Sequence, residues 1–203
     1  SLILEALSRY VTDVSRMHEL GFCVSKAHAR FMAERFQKAG IPAVAVTADM
    51  DEAGREKART DLADGTIKIV FAVDIYNEGV DIPEIDTVLF LRPTESLTIF
   101  MQQLGRGLRL APGKECLTVL DFIGQQNRRY DFAPKLRALL ASPAHALRRE
   151  VEEGFPEAPK GCYIRLERVA QEYVLKNLAV AQGTRGRLVS ALATFEEDAG
   201  QKL

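Results

Sequence analysis

Five short runs of mostly apolar residues alternate with segments of helical spacing over the first 122 residues, and no other feature constrains the fold as tightly. The runs are Gly21–Val24, Ala43–Thr47, Ile67–Val73, Asp86–Leu91 and Cys116–Phe122. Between them, Ser25 to Ala39 carries Ala29, Met32, Ala33 and Phe36 at helical intervals, Asp51 opens a second helix through Leu62, and Ser96 to Leu108 reads as a third. Gly40 and Gly65 stop the first two, and Pro42 follows the first. Strands separated by helices of about a dozen residues have room for the crossover that parallel pairing requires. The nearly continuous apolar run Ile67–Val73 suits a strand covered on both faces. The expectation is an α/β fold, a parallel sheet sandwiched by helices. Leu2 to Val14, with Leu4, Leu7, Tyr10, Val11 and Val14 on one stripe, adds an amphipathic helix in front.

After Phe122 the pattern changes. A helix is expected from Pro134 to Leu140, a boundary at Ser142-Pro143, and then an α-rich tail with helices near Ala144–Glu153, Leu166–Ala181 and Leu188–Phe195. This divides the chain into a sheet domain, 1–141, and a small α-helical extension, 142–203. The chain opens on Ser1 directly in a helical pattern, which reads as a piece of a longer protein.

Composition matters mainly for what it removes. Lys and Arg number 27 against 28 Asp and Glu, so this is no basic nucleic-acid coat protein. A local excess does exist: Phe100 to Arg137 holds seven basic residues against three acidic ones. The cysteines, Cys23, Cys116 and Cys162, form no CxxC pair, and the three histidines have no metal-ligand spacing, so no metal site is expected. No apolar stretch is long enough to cross a membrane and no signal peptide is visible, which together suggest a cytoplasmic setting.

Open parallel sheets bind ligands beyond the carboxyl ends of their strands. Four segments qualify: Ser25 to His28, Thr47 to Asp49, Asp74 to Pro83, and Arg92 to Ser96. Of these, Asp74 to Pro83 presents Glu78 and Asp81 around Gly79, carboxylates suited to ribose hydroxyls or to an arginine; an acidic cap before a proline turn is the plainer reading. The densest chemistry lies in Gln102-Gln103-Leu104-Gly105-Arg106-Gly107-Leu108-Arg109. Arg106 and Arg109 share a helix face. The flanking glycines leave room for another molecule, and paired guanidiniums match the oxygens of a polyphosphate. A solvated helix end with a terminal glycine would look the same in isolation. Gly107 to Lys114 is not a P-loop, because five residues separate its glycines and Glu115 stands where Ser or Thr would hold magnesium.

Three segments in this order resemble the second RecA-like domain of superfamily 2 helicases and translocases. Phe22-Cys23-Val24-Ser25 resembles motif IV, Asp74 through Pro83 resembles motif V, and Gln102 through Arg109 resembles motif VI, a likeness covering roughly residues 15 to 125. Gly154-Phe155-Pro156 and Pro159 to Cys162 are similar to the region after the motor in bacterial helicases that carry a phospholipase D-like nuclease domain.

The resemblance implies a RecA-like fold and roles for single residues. Arg109 is implied as the arginine finger, Arg106 as a phosphate or interface contact, and Gln102 as a nucleotide sensor. Gly79 and Asp81, beside Glu78, would line the ribose. Ser25, Thr47 and Asp74 would face the tracked backbone. Asp74-Ile75 stands where many relatives have Thr followed by a small or acidic residue, so the resemblance implies that a hydroxyl contact to the strand is either lost or moved to Asn77. ATP and Mg2+ would be used only with an N-terminal RecA-like domain carrying the P-loop and DExx box, so this chain alone is expected to be inactive. Nucleic acid is the implied partner, with DNA favoured over RNA. The rival expectations are a non-catalytic RecA-like module that binds nucleic acid or protein, and a free-standing Rossmann-like small-molecule domain.

Overall fold

The computed structural model describes residues 2–73, 82–92, 111–112, 114–122, 132–140, 146–158 and 163–179. Contacts divide the chain into two compact units, Ser1–Gly124 and Gln125–Leu203.

The first unit is built on five parallel strands: β1 (Glu19–Phe22), β2 (Ala43–Val46), β3 (Ile69–Ala72), β4 (Thr87–Phe90) and β5 (Thr118–Asp121). Their order in the sheet is β2-β3-β1-β4-β5. Glu19 stands level with Ile69 on one side and Thr87 on the other, and the register runs without slip to Phe22 between Ala72 and Phe90. The architecture is therefore the parallel α/β sheet expected from the alternating runs. The strands are shorter than or offset from the expected runs by a residue or two, and the differences at β1 and the first helix have a physical cause. β1 runs two residues earlier than Gly21–Val24, and its first residue, Glu19, is a buried carboxylate whose polarity argues against a buried strand position. The first helix, α1 (Leu2–Tyr10), ends before Val14. Beyond it the Asp13 carboxylate accepts from the Ser15 amide at 2.9 Å and hydroxyl at 2.6 Å, a local turn that competes with helix.

Helix α2 (Lys26–Lys38) follows β1 and has the predicted inner face: Ala29, Met32, Ala33 and Phe36 are all buried. Its end is a Schellman arrangement. The Ile41 amide donates to Phe36 O and the Gly40 amide to Gln37 O, both at 3.0 Å, with Gly40 at φ +80, a conformation that favours glycine. Helix α3 (Glu52–Ala63) starts at Asp51, whose carboxylate accepts from the Gly54 amide at 2.9 Å, and it buries Ala58 and Leu62. The chain crosses from β1 to β2 and returns from β2 to β3 in the opposite direction. Right-handed crossovers then place α2 and α3 on opposite faces of the sheet.

Side-chain alternation assigns the two faces. On the α2 side, Ile69, Phe71 and Leu89 form one core with Leu7, Met17, Met32 and Phe36, and the Phe36 and Phe71 rings meet edge to face at 5.0 Å. Gly21 lies beneath Phe71 so closely that a Cβ there would stand 2.6 Å from the ring. On the other face, Phe22 stacks on Phe90 at 5.6 Å.

The second unit has its own core. It contains α4 (Ala133–Leu140), α5 (Leu147–Glu153) and helical residues 168–179. Leu136, Leu140, Leu147, Val151, Phe155, Val174 and Leu178 are buried. Phe132 meets Tyr173 edge to face at 5.9 Å, and its amide donates to Asn177 Oδ1 at 3.2 Å. The Glu150 carboxylate, also buried, accepts from the Glu157 amide at 3.2 Å. The unit begins before the Ser142-Pro143 step and includes the helix at 133–140.

Candidate functional site

Because every pairing is parallel, the five strands deliver their following residues to one edge. Cys23-Val24-Ser25 leaves β1, Thr47-Ala48-Asp49 leaves β2, Val73 leaves β3 and Leu91-Arg92 leaves β4. The chain runs from β1 to one side of the sheet and later reaches β4 on the other side. The crevice beside β1 is therefore the topological switch point, where such sheets take their ligands.

At β1, Ser25 caps α2. Its hydroxyl oxygen accepts from the His28 amide at 3.2 Å, and the side chain is exposed. His28 Nδ1 accepts weakly from the Val24 amide at 3.5 Å, and burial lowers the pKa of its ring, favouring the neutral imidazole. Behind the cap, burial pushes the Cys23 thiol up to about 12, against a smaller opposing pull from Arg92.

At β2 the arrangement is denser. Thr47 is only 4 % exposed, and its hydroxyl donates to Asp49. Asp49 also receives two cations from α2: Lys26 Nζ stands 3.3 Å from Oδ1, and the Arg30 guanidinium pairs with Oδ2. Thr47 first, and Lys26 with it, hold the Asp49 carboxyl far below the ordinary carboxylate range. From α3, Arg55 donates to Ala48 O at 2.9 Å and ties the loop down, while its Nε is buried without a partner among the described residues. Lys26 and Arg30 are one helical turn apart, so both reach the same loop.

Ser25 and Thr47 are thus brought to one sheet edge, Ser25 as the acceptor that caps α2 and Thr47 with its proton committed to Asp49. Asp74, Asn77, Glu78, Gly79, Asp81, Gln102, Arg106 and Arg109 lie outside the described residues. Lys26 and Asp49 fall within two of the segments that the sequence marks as lying past strands, without a role of their own, whereas Arg30 and Arg55 lie outside those segments. The visible signal for Lys26 and Arg30 was a pair of cations four apart in the first turns of a capped helix. No group of three or more His, Cys, Asp or Glu side chains among the described residues could hold a metal ion. No helix among them is long and apolar enough to cross a membrane.

Comparison with known proteins gives this edge a context. Residues 4–111 match the family described as "Helicase conserved C-terminal domain", a span that covers the sheet through β4 and the segment 102–109 but stops short of the tail. IRC3 of Saccharomyces cerevisiae, a candidate ATP-dependent helicase, is 33 % identical over 135 residues, 66 % of this chain and 20 % of its own length. The chain thus spans about a fifth of that relative. Among solved structures, the E. coli DEAD-box protein SrmB, bound to the regulator of ribonuclease activity A, superposes with TM-score 0.51 at 20 % identity, over 60 % of this chain and 68 % of that one. The Mycobacterium smegmatis helicase Lhr, bound to ssDNA and AMP-PNP, gives TM-score 0.54 at 20 % identity, over 75 % and 22 %. Both share the fold. With its parallel RecA-like sheet and the family match over more than half its length, this chain belongs to the helicase C-terminal domain family, the second RecA-like domain of superfamily 2 helicases.

Proposed function

We propose that the chain is the arginine-finger half of an ATP-dependent helicase or translocase motor, working in the cytoplasm, and that it tracks nucleic acid along the carboxyl edge of its sheet. The observation that carries this reading is the family match over residues 4–111, which takes in the edge segments at Ser25 and Thr47 as well as Gln102 to Arg109. Arg109 supplies the finger, Arg106 a second phosphate or interface contact, and Gln102 senses the nucleotide at the seam. Gly79, Asp81 and Glu78 line the ribose. Ser25, Thr47, Asp74 and Asn77 lie along the strand, DNA in preference to RNA.

An N-terminal RecA-like domain with a P-loop and DExx box holds ATP and Mg2+, so the chain alone does not turn over ATP. Phosphoryl transfer is catalysed mostly by positioning and charge stabilisation, and an arginine finger contributes roughly 10³- to 10⁵-fold. Placing that finger on a separate lobe makes hydrolysis depend on closure, and closure coupled to a strand spanning both lobes produces movement.

The test is steady-state ATPase of the polypeptide that joins this chain to its P-loop domain, with and without DNA or RNA. Arg109→Ala is expected to lower turnover by about 10³-fold or more while nucleotide binding persists. Equal turnover in variant and parent refutes the finger role. Turnover by this chain in isolation refutes the split site.

A further inference from the structure

The cluster at the end of β2 has more order than surface charge requires. Lys26 and Arg30 are about half exposed, as is Asp49, with side-chain exposures of 50 %, 56 % and 47 %. Ion pairs at that exposure contribute little to stability. Yet one carboxylate gathers both cations and the Thr47 hydroxyl, and Arg55 fastens the loop that carries it. The carboxylate lies beyond the carboxyl end of a strand, between two cations directed at one oxyanion.

We propose that Asp49 is a built-in stand-in for a backbone phosphate, holding Lys26 and Arg30 in the free protein and giving them up when a single-stranded nucleic acid runs along this edge. The inference rests on the preceding reading that the strand follows the carboxyl ends of the sheet. The exchange is balanced in charge: one carboxylate leaves the pair of cations and one phosphodiester oxyanion enters. Arg30 offers the planar fork that phosphate oxygens match, and Lys26 adds a point charge. Thr47 keeps its hydrogen bond to Asp49 throughout, so the displaced carboxylate is not stranded. The consequence for a stepping motor is a moderated grip. Each bound phosphate competes with an internal anion at high effective concentration, so the strand is released as readily as it is taken.

The experiment is an NMR titration of the isotopically labelled 203-residue chain with a dT and an rU decamer, between 50 and 200 mM salt. Asp49→Asn retains an acceptor for Thr47 while removing the competing charge. It is expected to bind several-fold more tightly, with a slope of log K against log salt steeper by up to about 0.7. Lys26→Ala/Arg30→Ala is expected to bind more weakly with a shallower slope, and adding Asp49→Asn to it should restore nothing. An Asp49→Asn variant that binds no tighter, or gains as much without the two cations as with them, overturns the proposal. If the parent chain shows no shifts in residues 24–30 and 47–51, or if Lys26→Ala/Arg30→Ala binds like the parent, the underlying reading of the edge falls instead.

Discussion

Glu19 is the most consequential residue to perturb. It sits on the central strand, fully buried, flanked in the sheet by Ile69 and Thr87. Neither carboxyl oxygen has a hydrogen-bond partner among the described residues. Burial, and secondarily the charge of Asp86, raise its pKa well above the ordinary 4.5. Asp86 offers no relief, since its own carboxylate accepts from the His18 amide at 3.1 Å and faces His18 Nδ1 at 3.6 Å. A buried polar group left unpaired costs about 1–3 kcal/mol. Replacing it by methionine, of similar length and volume, removes that cost, so Glu19→Met is expected to stabilise the chain by about 2 kcal/mol even where the carboxyl is protonated. For a chain of this size that is a rise in Tm of roughly 4–8 °C.

The pH dependence has a definite sign. The folded state holds the Glu19 proton more tightly than the unfolded state, so this group favours folding most below pH 4.5. Its contribution declines as pH rises from there toward the raised folded value, with a limiting slope of about 1.4 kcal/mol per pH unit. The methionine variant lacks this slope, so its advantage should be smallest near pH 4.5, where only the cost of the unpaired neutral carboxyl separates the two, and widen by pH 8. Glu19→Gln, neutral but still polar, should approach the parent at low pH and exceed it at high pH. Urea unfolding of all three proteins at pH 5 and pH 8 is the assay. A methionine variant less stable than the parent at both values, or an advantage that does not change with pH, refutes the reasoning.

Two further outcomes follow from the same core. Gly21→Ala places a methyl 2.6 Å from Phe71, a ring already buried against Phe36, and should cost about 1–3 kcal/mol in urea unfolding; trimming the ring in Gly21→Ala/Phe71→Leu should recover part of that, and an unchanged midpoint for the single variant would contradict the packing. Cys23, buried with its thiol pushed up to about 12, should resist alkylation at pH 8 while exposed Cys116 reacts, as followed site by site by peptide mass spectrometry; comparable rates at the two cysteines would show that the edge of β1 is open.

Helix α2 was legible residue by residue: its cap at Ser25, its four inner residues and its glycine stop are all local signals, and all lie where periodicity put them. β3 and β4 were equally plain because strands covered on both faces are written as unbroken apolar runs. β1 was offset because its first residue is a glutamate, and burial of a charged side chain is a tertiary outcome that polarity argues against. At the candidate site, Ser25 and Thr47 were visible as residues just past strands. The partnership of Asp49 with Lys26 and Arg30 was not, since it joins positions 19 to 23 residues apart on two crossover segments.

By itself, then, the amino-acid order determined which of the described segments of the sheet unit are strand and which are helix, that the strands run parallel, and where α2 and α3 begin and end. These depend on spacing, capping and backbone conformation within a dozen residues; the expected helices Ser96–Leu108 and Leu188–Phe195 lie outside the described residues. Only the tertiary structure decided the order β2-β3-β1-β4-β5, the burial of Glu19 without a partner among the described residues, and the gathering of Thr47, Lys26 and Arg30 around one carboxylate. Each of those requires residues distant in the chain to be brought within a few ångströms. Periodicity reports which way a side chain faces along its own element, and carries no information about what faces it from another.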